Sequence, residues 1–361
     1  VIMTFNFYET KFGKEMFGEP VDVNKEWDVS EIPRPKYSKD DKVLVFDSDI
    51  LSYRISASCD NRYVNVFNLD GKKKKFKNRK ELNSWAKNNS VDISNFKIED
   101  VVESEPLSYC LNTLKRAINV ALKNSGCNKF ELYVEGSSNF RQKLPLPEKY
   151  KNRDTTYRPT HLKACKEFIV QHLGGYRVGG AETDDFVQTR MYELHKSNVH
   201  AVTYNIDKDF LQEWRYDPLV YSPITCEVTQ YKGGIGELWL TNNGVKGSGM
   251  IWLLQQNLIG DCSDSYSPKI FFNKKYGEKS FYNDFKDVTD YKELFSKYMD
   301  LWESLVDDTI EYTDIFGVKQ KKTRLEIIEL YFSVAYMRIS ANDETTFKSL
   351  LEEYGGLNID V

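Results

Sequence analysis

Short apolar runs alternate with amphipathic segments through the middle of the chain. The apolar runs have the length of buried strands and span residues 42–46, 130–134 and 199–204. Between them, apolar residues recur at helical spacing in the segments 107–121 and 186–194. Strands separated by helices predict an α/β fold.

The flanking regions have a different pattern. Residues 1–40 carry three prolines and mixed charges without a sustained period, which predicts an N-terminal extension with weak local structure. Residues 62–69 alternate as a strand does and Asp70-Gly71 is a strong hairpin signal, so the lysines that follow are expected on a return strand. After an apolar helix at 248–259, apolar stripes predict that the last third of the chain is helical.

Carboxylates follow the predicted strands, open the next helix, or follow the apolar helix at 248–259. They are Asp47, Asp49, Glu135, Glu182, Asp184, Asp185, Asp207, Asp209, Asp261 and Asp264. In an open α/β sheet the carboxyl ends of the strands carry the ligand site, and the following helix begins at the same edge. Acidic residues at a single helix start are ordinarily capping groups, but capping does not require E-x-D-D, D-x-D and a third acidic cluster together. Carboxylates this close repel one another unless a cation lies between them, so the pattern predicts a divalent-metal site.

Composition limits the class of protein. With 361 residues, 40% hydrophobic and 29% charged, the chain can bury a sizeable core in one large or two smaller domains. The sequence shows neither an apolar run of membrane-spanning length nor the order of a signal peptide, so we expect a soluble intracellular protein. The six cysteines are scattered without a C-x-x-C pair and are expected to be reduced and mostly buried.

Basic residues are concentrated in two stretches, 72–80 and 141–166, although the net charge is −4. Such runs are usually solvated faces, and a surface loop followed by a helix is the simplest interpretation of the second stretch. Next to an acidic metal site, however, a segment rich in cations and aromatic rings suits a single strand, whose phosphates bind cations and whose bases stack on rings. Residues 140–166 are therefore a candidate mobile arch.

Taken in order, the motifs resemble those of the flap endonuclease and 5′-to-3′ exonuclease superfamily, and bacteriophage 5′ exonucleases in particular. The resemblance covers roughly residues 42–285. Its motifs are Val45-Phe46-Asp47, Phe140-Arg141, Leu146-Pro147-Glu148, Tyr150-Lys151-Asn152-Arg153, Ala181-Glu182-Thr183-Asp184-Asp185, Asp207-Lys208-Asp209 and Gly260-Asp261-Cys262-Ser263-Asp264. It implies a PIN-like nuclease core, which is a central, mostly parallel sheet flanked by helices. It also implies a helical arch and a helical C-terminal region that carries a helix-hairpin-helix-like element for duplex DNA. The domains would then be an extension at 1–40, a nuclease core at 41–265 and the helical region at 266–361.

Carried over position by position, the resemblance also implies residue roles. The ligands of two Mg²⁺ ions, for which Mn²⁺ can substitute, would be Asp47, Glu135, Glu182, Asp184, Asp185, Asp207, Asp209, Asp261 and Asp264. The scissile phosphate would be contacted by Lys151 and Arg153, and the rest of the DNA by Arg141, Tyr150, Arg158, Lys163, Gly277 and Lys279. Glu135 stands where the family has an aspartate, and Lys275 stands at the first glycine of the family's Gly-x-Gly-x-Lys hairpin.

The activity implied is metal-dependent hydrolysis of phosphodiesters at 5′ single-stranded ends, flaps or nicks of DNA, with RNA–DNA hybrids as a further substrate, in the replication or degradation of phage DNA. Two alternatives remain open from the sequence. One is a related acidic-sheet ribonuclease for single-stranded RNA, and the other is a non-catalytic DNA-binding protein on a degenerate nuclease fold. The complete set of acids favours an enzyme, and the arch-like segment favours DNA with a free 5′ end that can be threaded.

Overall fold

The computed structural model describes residue 22 and residues 24–68, 70–152 and 157–356. The strands are β1 (Glu26–Asp28), β2 (Lys42–Asp47), β3 (Asp60–Phe67), β4 (Lys73–Phe76), β5 (Lys97–Ser104), β6 (Lys129–Glu135), β7 (Tyr176–Gly179), β8 (His200–Tyr204), β9 (Leu219–Ser222), β10 (Glu227–Gln230), β11 (Glu237–Thr241), β12 (Gly244–Ser248), β13 (Thr309–Thr313) and β14 (Lys319–Thr323).

The helices are α1 (Ser48–Ser58), α2 (Arg79–Asn88), α3 (Leu107–Ser125), α4 (Leu162–His172), α5 (Thr183–Lys196), α6 (Gly249–Ile259), α7 (Glu278–Phe285), α8 (Tyr291–Leu305), α9 (Arg324–Ala335) and α10 (Phe347–Leu350). In the described ranges, every helix is too short or too polar to cross a membrane.

A seven-stranded sheet in the order β1-β7-β6-β2-β8-β9-β10 forms the centre of the fold. Every neighbouring pair is parallel except β9 and β10, which are antiparallel. The predicted α/β fold with a mostly parallel central sheet is therefore confirmed.

Helices cover both faces of this sheet, which explains why β2 is apolar without alternation. Leu44 and Phe46 pack on one face with α1, α3 and α4. Val43 and Val45 pack on the opposite face with α5 and α6. All four side chains are 0% exposed, so the predicted strand at the start of the core is buried on both sides.

Two sequence expectations are corrected at the ends of the chain. The region expected to be an extension with weak local structure supplies β1, which pairs with β7 through Trp27 and Val178 and extends the sheet by one strand. The C-terminal region is not purely helical, because β13 and β14 form an antiparallel hairpin there. Polar side chains dominate β14, so it lacks the apolar run by which a strand is predicted from sequence.

An insert separates α1 from α3. It consists of the three-stranded antiparallel sheet β4-β3-β5 and α2, residues 60–104 apart from residue 69. Val64, Val66, Phe76 and Leu82 form a small core of their own. The lysine-rich stretch lies on β4, the return strand, as the hairpin signal predicted.

Candidate active site

Three adjacent parallel strands bring carboxylates to the same edge of the central sheet. Asp47 is the last residue of β2, Glu135 is the last residue of β6, and Asp207 follows β8. Glu182 is the N-cap of α5, which begins just after β7. The neighbour order β6-β2-β8 explains why acids that are distant in sequence converge here.

Asp47 and Asp184 form a hydrogen-bonded carboxyl pair at the centre of this edge. The Oδ1 atom of Asp47 also caps α1 by accepting hydrogen bonds from the backbone N–H of Asp49 at 2.9 Å and of Ile50 at 3.3 Å. Burial, and then the charge of Asp49, raises the pKa of Asp47 to about 7. Burial, and then the charges of Asp47 and Asp207, raises the pKa of Asp184 well above its usual value. Without a cation, the pair therefore retains a proton at pH values where isolated carboxyls are ionised.

A second acidic group combines Asp209, which opens the 3₁₀ turn after β8, with two residues of the loop after α6. One carboxylate oxygen from each of Asp209, Asp261 and Asp264 lies within 4.8 Å of the other two. Gly260 turns the chain into this loop with φ 79°, and a Cβ at that position would lie 2.3 Å from the carbonyl oxygen of Tyr266. Asp261 and Tyr266 then exchange backbone hydrogen bonds of 3.0 and 3.2 Å, which hold the loop closed.

The members of this second group differ in charge state. Burial, and then the charge of Asp207, raises the pKa of Asp209 well above its usual value. Burial also acts to raise the pKa of Asp261, but hydrogen bonds from Ser263 and the charge of Lys208 outweigh it and lower the pKa. The Nζ atom of Lys208 lies 3.1 Å from Asp261 Oδ2. Asp261 therefore stays ionised, whereas Asp209 keeps its proton to a higher pH unless a cation binds.

The donor set fits a hard divalent cation. Carboxylate oxygen is the ligand that Mg²⁺ and Mn²⁺ prefer, and both acidic groups offer it at the same edge of the sheet. The Oδ1 atom of Asp184 is buried and, among the described residues, has no hydrogen-bond partner. A buried acceptor left unpaired is costly, and a bound cation would remove that cost.

Asp185 has a different environment from its neighbours. Both of its oxygens accept hydrogen bonds from Arg141, at 2.5 Å from Nη1 and 2.8 Å from Nη2. The backbone N–H groups of Glu182 and Arg338 add two more hydrogen bonds, each at 3.2 Å. Asp185 therefore anchors a buried arginine, and its predicted role as a metal ligand is not supported by its contacts.

Arg141 was predicted to contact DNA, and the structure contradicts that role. Its side chain is 3% exposed, and besides Asp185 it donates to the carbonyl oxygens of Val334 at 2.8 Å and Tyr336 at 2.7 Å. A guanidinium with these partners has no face left for a phosphate. The sequence could not reveal this because the partners lie far along the chain.

Lys151 lies against the acidic cluster. Its Nζ atom is 2.5 Å from Glu182 Oε1, and its side chain is 33% exposed. Burial acts to lower the pKa of Lys151, but the charges of Glu182 and Asp264 outweigh it and raise the pKa. The second predicted catalytic cation, Arg153, lies outside the described residues.

Tyr150 was predicted to contact DNA, and its burial contradicts that role. Only 4% of its surface is exposed. Its hydroxyl group lies 3.1 Å from Glu182 Oε2 and 3.1 Å from Asp264 Oδ2. The ring is therefore part of the core, while the hydroxyl group links the two acidic groups.

The first part of the candidate arch is packed against the protein. Leu146 is 1% exposed, and its carbonyl oxygen accepts a hydrogen bond from the backbone N–H of Ile315 at 2.9 Å. The hydroxyl group of Tyr312 donates to the carbonyl oxygen of Pro145 at 2.7 Å. The described residues between the 3₁₀ turn at Phe140–Lys143 and the start of α4 contain no helix. The stretch up to Tyr150 is thus a fixed wall of the site rather than a mobile segment.

Asp49 connects three elements around the site, a role that the sequence did not indicate. Its Oδ2 atom accepts hydrogen bonds from the backbone N–H of Glu135 at 2.8 Å and from Thr183 Oγ1 at 2.7 Å. Its Oδ1 atom lies 2.5 Å from Lys166 Nζ. Desolvation, and then the charge of Asp49, raises the pKa of Glu135. Asp49 thereby fixes the end of β6 and the middle of α4 relative to the start of α5.

Of the remaining residues predicted to bind DNA, Arg158 and Lys163 are exposed. Together with Lys166 and Arg177 they line a cavity of about 530 Å³ beside Gly136, which directly follows β6. This cavity adjoins the carboxylate edge through Gly136.

The last two predicted DNA contacts lie at α7. Gly277 is the N-cap of α7 and lines a cavity of about 610 Å³. Lys269, Lys274 and Lys275 line the same cavity, whereas Lys279 lies on α7 and is exposed. The cations are therefore gathered at the positive end of a helix, which suits an anion.

No protein-family model and no curated protein matches the chain. Among solved structures, it is similar to the bacteriophage T5 flap endonuclease in a pseudo-enzyme–product complex with DNA and metal ions. The sequence identity is 14% and the TM-score is 0.46, and the match covers 87% of this chain and 97% of that chain. It is also similar to the T5 5′-exonuclease with divalent zinc ions bound, at 14% identity and a TM-score of 0.44, covering 88% of this chain and 97% of that chain. Both are flap endonucleases or 5′ exonucleases by name, the class that the sequence motifs resemble.

Proposed function

We propose that this chain is a divalent-metal-dependent nuclease that hydrolyses phosphodiester bonds in DNA with a 5′ single-stranded end, flap or nick. The observation that carries the proposal is the meeting of Asp209, Asp261 and Asp264 oxygens within 4.8 Å, beside the buried Asp47–Asp184 pair. Carboxylates gathered in this way raise one another's pKa and destabilise the fold unless a cation joins them. Such a cost is typical of a functional site.

Mg²⁺ is the proposed cofactor, with Mn²⁺ as a substitute, and the acidic residues form two groups that would hold it. One group is Asp209, Asp261 and Asp264, and the other is centred on Asp47 and Asp184. When bound, the ions would lower the pKa of a water molecule and offset negative charge on the phosphate.

The side chains of the site orient the substrate and stabilise charge. Lys151, now 2.5 Å from Glu182, is exposed enough to move its ammonium group to a phosphate oxygen that enters the site. There it would neutralise charge that develops as the phosphodiester bond breaks. The hydroxyl group of Tyr150 holds Glu182 and Asp264 in register, so that both acidic groups keep their spacing when the substrate binds.

The cations around the site indicate a nucleic acid as substrate. Arg158 and Lys163 line the cavity beside the carboxylate edge, and three lysines line the cavity at α7. Phosphate contacts of this kind supply most of the affinity for a nucleic acid in a protein whose overall charge is negative. One basic cavity beside the carboxylate edge and another at α7 would suit a substrate with both a duplex and a single-stranded arm.

The test is cleavage of end-labelled DNA by the full chain. We expect 5′-flap and nicked substrates to be cut in Mg²⁺ but not in EDTA, and a bulky adduct on the 5′ end to block cleavage more than the same adduct on the 3′ end. Asp209→Asn should reduce the rate about a thousandfold or more, because it removes a charge from the metal site. The matched control is Asp300→Asn, at an exposed position of α8, which should leave the rate unchanged.

Other outcomes would refute the proposal. Cleavage that persists in EDTA, or an Asp209→Asn variant as active as the wild type, would exclude the metal assignment. Efficient cutting of closed single-stranded RNA circles, with no preference for 5′-ended DNA, would favour a ribonuclease. An RNA–DNA hybrid with a 5′ flap belongs in the same series, because it shows whether the site distinguishes the two sugars.

A further inference from the structure

The insert contains a cavity that the proposed nuclease site does not use. Its volume is about 400 Å³, a size typical of small-molecule sites. Aromatic side chains line its interior and lysines surround it; the residues concerned are Phe76, Trp85, Phe96, Lys72, Lys73 and Lys74. A cavity that combines rings with cations has the two kinds of group that a nucleotide requires.

The aromatic part of the cavity is preformed. Phe76 is 5% exposed and lies against Trp85, with ring centroids 5.3 Å apart and planes tilted by 49°. Trp85 itself is only partly buried, so part of its indole ring is accessible. The ammonium group of Lys74 lies 4.0 Å from the centroid of that indole ring and 5.2 Å from that of Phe76. A cation therefore covers the ring face on which a base would stack.

Protection of a sheet edge explains part of this arrangement but not all of it. β4 is an edge strand of the insert, and lysines on an edge strand prevent pairing with other chains. Successive side chains of a strand point to opposite faces, so Lys73 and Lys75 lie on one face while Lys74 and Phe76 lie on the other. Edge protection requires neither a lysine over the aromatic lining nor a partly exposed tryptophan beside it.

We propose that this cavity binds an unpaired nucleotide of the 5′ single strand of the DNA substrate. The base would stack on Trp85, and the flanking phosphates would bind Lys72, Lys73 and Lys74. Lys74 leaves the indole ring for a phosphate, because an exposed contact between an ammonium group and a ring is weaker than a phosphate contact combined with base stacking. This inference rests on the proposed function, since it takes DNA with a 5′ strand as the substrate.

The position of the insert indicates which part of the strand would reach the cavity. Asp60, at the start of β3, accepts hydrogen bonds from Tyr157 Oη at 2.7 Å and from the backbone N–H of Thr160 at 2.9 Å, so β3 begins at the candidate arch. The cavity is lined by Val66 and Asn68, at the opposite end of β3. At 3.2–3.4 Å per residue, that end is about 20 Å from Asp60. Only a long 5′ strand would span this distance.

The experiment measures binding of 5′-flap DNA with short and long flaps to the full chain by fluorescence anisotropy, with Ca²⁺ in place of Mg²⁺ to slow cleavage. Trp85→Ala should weaken long-flap binding about 10-fold, the effect expected for one stacked base, and leave short-flap binding unchanged. Trp85→Phe keeps an aromatic face and should bind nearly as the wild type does.

A second pair of variants tests the phosphate contacts without touching the core of the insert. The double variant Lys73→Ala, Lys74→Ala should reduce the slope of log affinity against log salt by about 1.4 for long flaps, since each single-strand phosphate that a lysine neutralises contributes about 0.7 to this slope. The matched control is Lys80→Ala, Lys87→Ala, which removes two exposed lysines of α2 that do not line the cavity. This control should leave the slope nearly unchanged.

Two results would overturn the inference. One is a Lys73→Ala, Lys74→Ala variant that binds long flaps with wild-type affinity and salt slope, because the lysines would then serve only to protect the sheet edge. The other is equal weakening of short-flap and long-flap binding by Trp85→Ala, which would indicate a general loss of structure. Failure of the proposed function is recognised separately, since the wild type would then cut neither short-flap nor long-flap DNA in Mg²⁺.

Discussion

Replacing Asp185 by asparagine separates a structural role from a metal-binding role. Asp185 is 1% exposed, and both of its oxygens bind the guanidinium group of Arg141. Through its bonds to the carbonyl oxygens of Val334 and Tyr336, Arg141 also holds the end of α9. The pair therefore joins the wall of the site, the start of α5 and the C-terminal region.

The size of the effect follows from these contacts. Removing one partner of a buried ion pair costs about 3–5 kcal/mol, because the other charge is left uncompensated. Here Arg141 keeps two carbonyl acceptors, and Glu182 remains 3.5 Å from its Nη1 atom. An asparagine oxygen can also still accept one hydrogen bond. We therefore expect the lower end of the range, a loss of about 3 kcal/mol in the free energy of unfolding.

The assay is urea unfolding in EDTA at neutral pH, so that no metal contributes. The matched control is Asp209→Asn, also in the acidic cluster. Its carboxyl pKa is raised by burial, so loss of the charge should leave stability unchanged or increase it. The reasoning is refuted if Asp185→Asn unfolds at the wild-type urea concentration in EDTA and instead loses the stabilisation that Mg²⁺ gives to the wild type.

Three further outcomes are expected. In EDTA, the free energy of unfolding should rise as pH falls from about 7 towards 4. The reason is that folded Asp47, with a pKa of about 7, takes up its proton before the unfolded chain does. Urea titrations at pH 8, 6 and 5 check this, and a flat or opposite trend contradicts it. Lys151→Ala should lower kcat on 5′-flap DNA about 100-fold in single-turnover assays, and Lys151→Arg should retain more activity. An unchanged kcat for Lys151→Ala would exclude a role of this side chain at the phosphate. Asp49→Asn should lower kcat about 10-fold with little change in DNA affinity, since it loosens Lys166 and Thr183 without removing a metal ligand. A change in DNA affinity alone would contradict this positioning role.

The strand-end acids could be predicted because their signal is local. Asp47 and Asp207 each follow an apolar run, and a parallel sheet brings the ends of such runs to one edge. The different roles of Asp184 and Asp185 could not be predicted, because adjacent acids at a helix start look alike in sequence. They are distinguished by Arg141, which is 44 positions from Asp185 and whose own orientation depends on α9.

The burial of Tyr150 was missed for a similar reason. A tyrosine among lysines and arginines is typical of a nucleic-acid surface. Tyr150 is the last residue of the wall formed by residues 144–150, and that wall is held by Tyr312 and Ile315, at and just after the end of β13 in the β13–β14 hairpin. The hairpin itself carries no apolar run that sequence patterns detect, because its strands are stabilised by pairing with each other.

The two ends of the insert lie side by side. Asp60, the first residue of β3, pairs with Ser104, the last residue of β5, so the chain leaves and returns at neighbouring positions. Because the first and last residues of the insert are neighbours, its length and sequence can change with little disturbance to the elements on either side. A compact loop could also replace it. Asp60 and Arg62 cannot change as freely, because Asp60 also holds Tyr157 and Thr160, and the guanidinium carbon of Arg62 lies 3.6 Å from the ring centroid of Tyr157. The architecture thus allows the insert to vary while the acidic centre stays the same, provided that the contacts of Asp60 and Arg62 with Tyr157 are kept.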